Sequence, residues 1–142
     1  MPTQIKVFTD GGSRGNPGVA GAGFVVYDQL DNIIHQAAVF LGHKTNNEAE
    51  YLALLEALEF LLRFELKQPG EIVEANFFLD SKLVVEQVNR RWKIKKSQLL
   101  LLANKVWQNM ETLPYSISVR HVLRQHNALA DELANKAMDQ SI

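Results

Sequence analysis

Residues 73–88, VEANFFLDSKLVVEQV, decide the fold class. The first seven are rich in apolar and aromatic residues and too short for a core helix, so they read as a buried strand over 73–79. Asp80-Ser81 then breaks the run with two residues that favour helix N-caps. The helical spacing that follows extends to about Asn89. A strand that feeds straight into a helix belongs to a layered α/β sheet whose later strands join in parallel through right-handed crossovers.

Outward from that unit the pattern continues on both sides. Upstream, Asn46 to Lys67 carries Leu54, Leu58, Leu61 and Leu62 at helical spacing. Pro69-Gly70 stops it. Before that helix, 21–28 and 32–41 are two strands joined through Asp28-Gln29-Leu30-Asp31 as a hairpin. QIKVFT at 4–9 is a strand ending at Asp10, and Gly11 to Gly18 is expected to be irregular loop. Downstream come a helix over Gln98–Met110, a strand over 115–122 and a helix over Asn127–Met138. The order β-β-β-α-β-α-α-β-α predicts a mixed sheet with three leading antiparallel strands.

The chain has 142 residues, 46% hydrophobic and 22% charged, which suits one domain over 1–142. Fifteen Lys and Arg against sixteen Asp and Glu exclude a generally basic nucleic-acid coat. Zero cysteines exclude disulfides, a thiolate zinc site and a cysteine nucleophile. No signal peptide opens the chain, and no apolar run approaches the roughly 18–20 residues of a membrane span. A soluble, cytoplasmic protein without membrane contact is expected, and with no linker at either end, a monomer.

Four acids stand where chemistry is placed in such sheets. Asp10 and Asp80 end predicted strands, at the edge where open α/β sheets bind ligands. Glu50 and Asp131 lie in the first turns of helices. Singly, each has a plain structural reading: a turn residue, a cap, or an acid near a helix N-terminus worth about 0.3–1 kcal/mol. Gathered together, like charges repel unless a cation joins them. An all-carboxylate set suits a hard cation, Mg²⁺ or Mn²⁺. Two such ions about 3.5–4 Å apart can activate water and stabilise a leaving oxygen in phosphodiester displacement.

TDGGSRGNPG at 9–18, TNNEAEY at 45–51, LDSKLVVEQV at 79–88 and RHVLRQHNALADELANKAM at 120–138 resemble the four motifs of type 1 ribonuclease H, in order and across essentially the whole chain. The resemblance implies the ribonuclease H-like fold: a five-stranded mixed sheet in the order 3-2-1-4-5, flanked by helices on both faces. It implies hydrolysis of the RNA strand of an RNA–DNA hybrid duplex with two Mg²⁺ ions (or Mn²⁺), leaving 3′-hydroxyl and 5′-phosphate ends. By motif position the metal-binding and catalytic acids fall on Asp10, Glu50, Asp80 and Asp131.

Substrate contacts follow by the same route. Gly12, Ser13, Arg14 and Asn16 form a loop whose backbone groups can approach a shallow groove closely. Thr45, Asn46 and Asn47 sit where the resemblance places contacts to the duplex. Between 82 and 96, six basic residues face one acid. Lys82, Lys93 and Lys95, interleaved with Trp92, suit a phosphate backbone and a sugar or base face. The long basic protrusion of many family members is short here, since Trp92–Lys96 leads directly into the next helix. The flexible histidine loop before the last acid is also nearly absent. Arg124 and His126 are the candidates in its place, Arg124 as a phosphate ligand and His126 as an accessory group. His121 is expected on the inner face of its strand. Other readings are a catalytically silent nucleic-acid-binding domain of the same fold, or a metal nuclease that also cuts double-stranded RNA. Between the two glutamates of TNNEAEY, helical phase chooses Glu50, at the head of the apolar stripe, and turns Glu48 to solvent.

Overall fold

The structure, a computed structural model, describes residues 2–140. Its elements are β1 (Thr3–Gly15), β2 (Gly18–Tyr27), β3 (Ile33–Lys44), α1 (Asn46–Lys67), β4 (Ile72–Leu79), α2 (Lys82–Val88), α3 (Ser97–Thr112), β5 (Ser116–His121) and α4 (Ala128–Asp139). One 3-10 turn, Arg124–His126, precedes α4. The strands form a single sheet in the order β3-β2-β1-β4-β5. β1 and β2, and β2 and β3, are antiparallel; β1 with β4 and β4 with β5 are parallel. The element order and sheet order expected from sequence are those observed.

Alternation along β1 and β4 sends Ile5, Val7, Phe77 and Leu79 to one face, where they are fully buried. Leu54, Leu58 and Leu61 of α1 cover them. Burial of each such side chain is worth roughly 1.5–3 kcal/mol. α4 packs on the opposite face, where Ala130, Ala134 and Ala137 keep the helix close to β1 and β2. The sheet is therefore clad on both sides.

α1 begins with a full capping box. The Thr45 hydroxyl accepts from the Glu48 N–H at 3.2 Å, and the Thr45 N–H donates to Glu48 Oε1 at 2.9 Å. The cap is thus Thr45. Glu48 is held in the box and half-buried, not turned to solvent as its phase suggested.

Gly11–Gly18 departs from expectation. β1 runs through Asp10 to Gly15 and pairs with β2 down to Gly15 opposite Gly18. The glycines signal a loop in sequence, but at Gly11 the reason is proximity. A Cβ there would lie 2.1 Å from the carbonyl oxygen of Ala49, so only glycine lets α1 approach. The parallel ladder to β4 does stop at Thr9 opposite Leu79, and there β1 and β4 part.

Candidate active site

Asp10 lies just past that parting point, with Asp80 at the corresponding end of β4. Ser81 caps α2, accepting from the Val84 N–H at 3.3 Å, which leaves the neighbouring Asp80 side chain free of capping. Glu50 reaches the same place from α1: its Oε1 accepts the Gly11 N–H at 2.9 Å. Ligand oxygens of Asp10, Glu50 and Asp80 lie within 4.8 Å of one another. Asp131 joins from α4 on the same cleft, where it adds to the raising of the Asp10 carboxyl. It arrives there because Gly23, opposite Asp10 in the ladder, lets the helix in: a Cβ on Gly23 would meet the Ala130 carbonyl oxygen at 2.4 Å.

The cluster is electrostatically strained without a cation. Asp10 is only 3% exposed. Burial first, then the charges of Glu50 and Asp80, push its carboxyl well above the usual carboxylate range. Burial and the charge of Asp80 raise Glu50 likewise, against the Gly11 N–H and the Arg124 charge, which pull it down. Crowded oxygen donors that resist ionisation together, with no sulfur or imidazole among them, fit a hard divalent ion.

Arg124 lines the acid cleft, together with Asn46, Arg14 and Asn135. His126 lies elsewhere, in a groove between the sheet and the start of α4, with Lys6, Phe8, Tyr27 and Leu129. His121, expected inward, shares parity with buried Val119 but is exposed at the strand end, where the sheet runs out.

The segment from Gly12 to Asn16 is stitched to its neighbours rather than loose. The Ser13 N–H donates to Asn46 Oδ1 at 2.9 Å, and the Asn46 N–H donates to Asn16 Oδ1 at 3.0 Å. The Ser13 hydroxyl donates to the carbonyls of Gly15 and Lys44. Gly12 stands in the cleft wall, and Arg14 pairs with Asp139 at 2.6 Å. Thr45, Asn47 and Asn16 form a second polar hollow with Lys96 and Gln98, two residues the motifs did not single out. Sequence offered a signal only for Lys96, as the last cation of the basic run.

Within that run the charges differ. Arg91 is bound to Glu86 at 2.6 and 3.1 Å, and the Arg90 guanidinium sits 3.8 Å over the Trp107 ring. Lys82, Lys93 and Lys95 make no ion pair among the described residues, and Trp92 is 46% exposed.

Strand order, crossovers and an acid cluster at the parting of two parallel strands define the ribonuclease H-like class. The reverse transcriptase-like family profile matches residues 8–137. The Bifunctional protein Rv2228c of Mycobacterium tuberculosis is 39% identical over 137 residues, 96% of this chain. The chain spans 36% of that relative's length. Ribonuclease H of Ruthia magnifica subsp. Calyptogena magnifica is 31% identical, covering 96% of each chain. The structure of LC11-RNase H1 in complex with RNA/DNA hybrid superposes with a TM-score of 0.90 at 38% identity, over 96% of this chain and 98% of that one. The chain belongs to the type 1 ribonuclease H family.

Proposed function

We propose that residues 1–142 act as one ribonuclease H domain that hydrolyses the RNA strand of RNA–DNA hybrids, leaving 3′-hydroxyl and 5′-phosphate ends. The observation that carries this reading is the convergence of three carboxylates within 4.8 Å at the sheet edge. The likeness to a protein solved with RNA/DNA hybrid supports the substrate. In this reading Asp10, Glu50, Asp80 and Asp131 would hold two divalent ions, with Asp10, Glu50 and Asp80 the tightest group. The ion is Mg²⁺ or Mn²⁺. Bound there, the ions supply an activated water and charge stabilisation for the leaving oxygen.

The chain's own groups do the rest. Gly11 orients Glu50 through its N–H. Arg124, always charged, steadies a phosphate at the cleft and cannot serve as a general base. The stitched segment from Gly12 to Asn16, with Thr45, Asn46 and Asn47, presents a fixed surface to the groove, which favours a duplex of one shape. Lys82, Trp92, Lys93 and Lys95 grip the backbone beyond it. The domain works as a cytoplasmic monomer. Among the described residues, no helix is long and apolar enough to cross a membrane.

The test compares cleavage of labelled hybrid, double-stranded RNA and single-stranded RNA in Mg²⁺, Mn²⁺ or chelator. Hybrid cleavage that requires metal is expected. Activity that survives chelation removes the metal from the reading, and equal cleavage of single-stranded RNA removes the hybrid.

A further inference from the structure

Asn127 holds the N-cap position of α4, yet its side chain makes no cap hydrogen bond. Asparagine is among the strongest N-cap residues, so local preference does not explain where its amide goes. The residue is only 2% exposed. Its Nδ2 donates inward, to the Thr9 carbonyl at 2.9 Å and to Asp80 Oδ2 at 3.2 Å. Its main chain is engaged as well: the N–H donates to the Arg124 carbonyl at 3.0 Å, and the carbonyl accepts the Asp131 N–H at 3.1 Å.

One residue therefore touches the Asp80 carboxylate, the residue before Asp10, the backbone of Asp131 and the backbone of Arg124. A bond to Thr9 alone would suffice to seat α4 on β1. The second bond, to Asp80, serves no such purpose. The arrangement also leaves Asn127 Oδ1 buried without a hydrogen-bond partner. Burying a group in that state is unfavourable, and a serine that capped α4 would avoid it.

We propose that Asn127 is a positioning residue of the acid centre. It fixes the Asp80 carboxylate against β1 and ties its place to Asp131 and Arg124, so the acids from β4 and α4 keep one spacing. The inference rests on the reading of Asp80 and Asp131 as metal ligands.

Asn127→Ser separates positioning from folding, because serine caps helices well but is too short to bridge Thr9 and Asp80. The full chain is titrated with Mn²⁺ alone by calorimetry, melted without metal, and assayed for kcat and KM on hybrid; Asn127→Ala is carried alongside. Metal affinity and kcat should fall about 10–100-fold in both variants, the range for removing outer partners of metal ligands. KM for hybrid should hold, because Lys82, Lys93 and Lys95 are untouched. The metal-free melting point of Asn127→Ser should fall less than that of Asn127→Ala, because serine still caps α4. Wild-type metal affinity and kcat in a folded Asn127→Ser overturn the inference. Failure of both variants to fold also overturns it, by assigning Asn127 to the fold. A wild-type chain that binds no Mn²⁺ strikes the metal reading instead, before any variant is made.

Discussion

Gly23 stands opposite Asp10 in the β1–β2 ladder, and the Ala130 carbonyl fills the space its side chain would take. The position of Asp131 is thereby set by a residue that carries no chemistry. Gly23→Ala should push α4 outward, cost about 1–3 kcal/mol of stability by overpacking, and lower hybrid cleavage by drawing Asp131 from Asp10. Melting curves and single-turnover rates check both. A variant with wild-type rate would show that the Asp131 position is not set by this packing.

Glu50 and Glu48 should separate cleanly. Glu50→Gln keeps the shape but removes the charge beside Asp10, and should reduce the rate by far more than tenfold, about 1.4 kcal/mol of barrier. Glu48→Gln should stay active, because glutamine also closes a capping box. Thr45→Ala should weaken the fold by about 0.5–2 kcal/mol through removal of the cap. The comparison is hybrid cleavage in Mg²⁺ beside thermal melting; a dead Glu48→Gln would reverse the assignment.

The metal-free protein should lose stability as pH rises. Asp10 and Glu50 hold protons more tightly folded than unfolded. Above about pH 4, where an unfolded carboxyl ionises, the unfolded chain therefore binds fewer protons, and unfolding is favoured progressively until the raised folded values are passed. Asp10→Asn removes the largest contribution. Its melting-point advantage over wild type should grow from pH 5 to pH 8 in chelator and shrink in Mg²⁺. An advantage that falls with pH would contradict the raised carboxyls.

Salt dependence should distinguish the cations of the basic run. Replacing Lys93 or Lys95 by glutamine removes one cation of the proposed phosphate-binding run. The log–log slope of hybrid binding should flatten by about 0.9 for each, if duplex DNA values carry over. Arg91→Gln should leave the slope nearly unchanged, since Glu86 already pairs that charge. Equal effects at all three positions would mean that the Arg91–Glu86 pair opens on binding.

The parts of the fold legible in sequence are those set by local pattern. The α1 stripe and the βα unit at 73–88 need only periodicity and caps to be seen, whereas the four acids are gathered by the motifs, since each alone reads as a turn, a cap or a helix-start residue. The extension of β1 through Gly15 is not legible, because glycine reads as a turn whether it supplies φ freedom or room for a helix. Asn127 is hidden for a related reason: an asparagine before a helix already has an ordinary explanation. The Arg91 pairing and the Arg90 stack on Trp107 arise from tertiary structure, which a run of charges does not disclose.

The hydrogen bond from Asn127 to Thr9 closes a loop of 118 residues. Three of the four acids can be synthesised, and β1, β4 and α1 packed together, before the last helix exists to meet them. A chain still emerging from the ribosome therefore carries no complete cleft, and neither does a fragment cut anywhere before α4. Pairings of such long range form late and slowly. The acid centre thus arrives only with the finished fold.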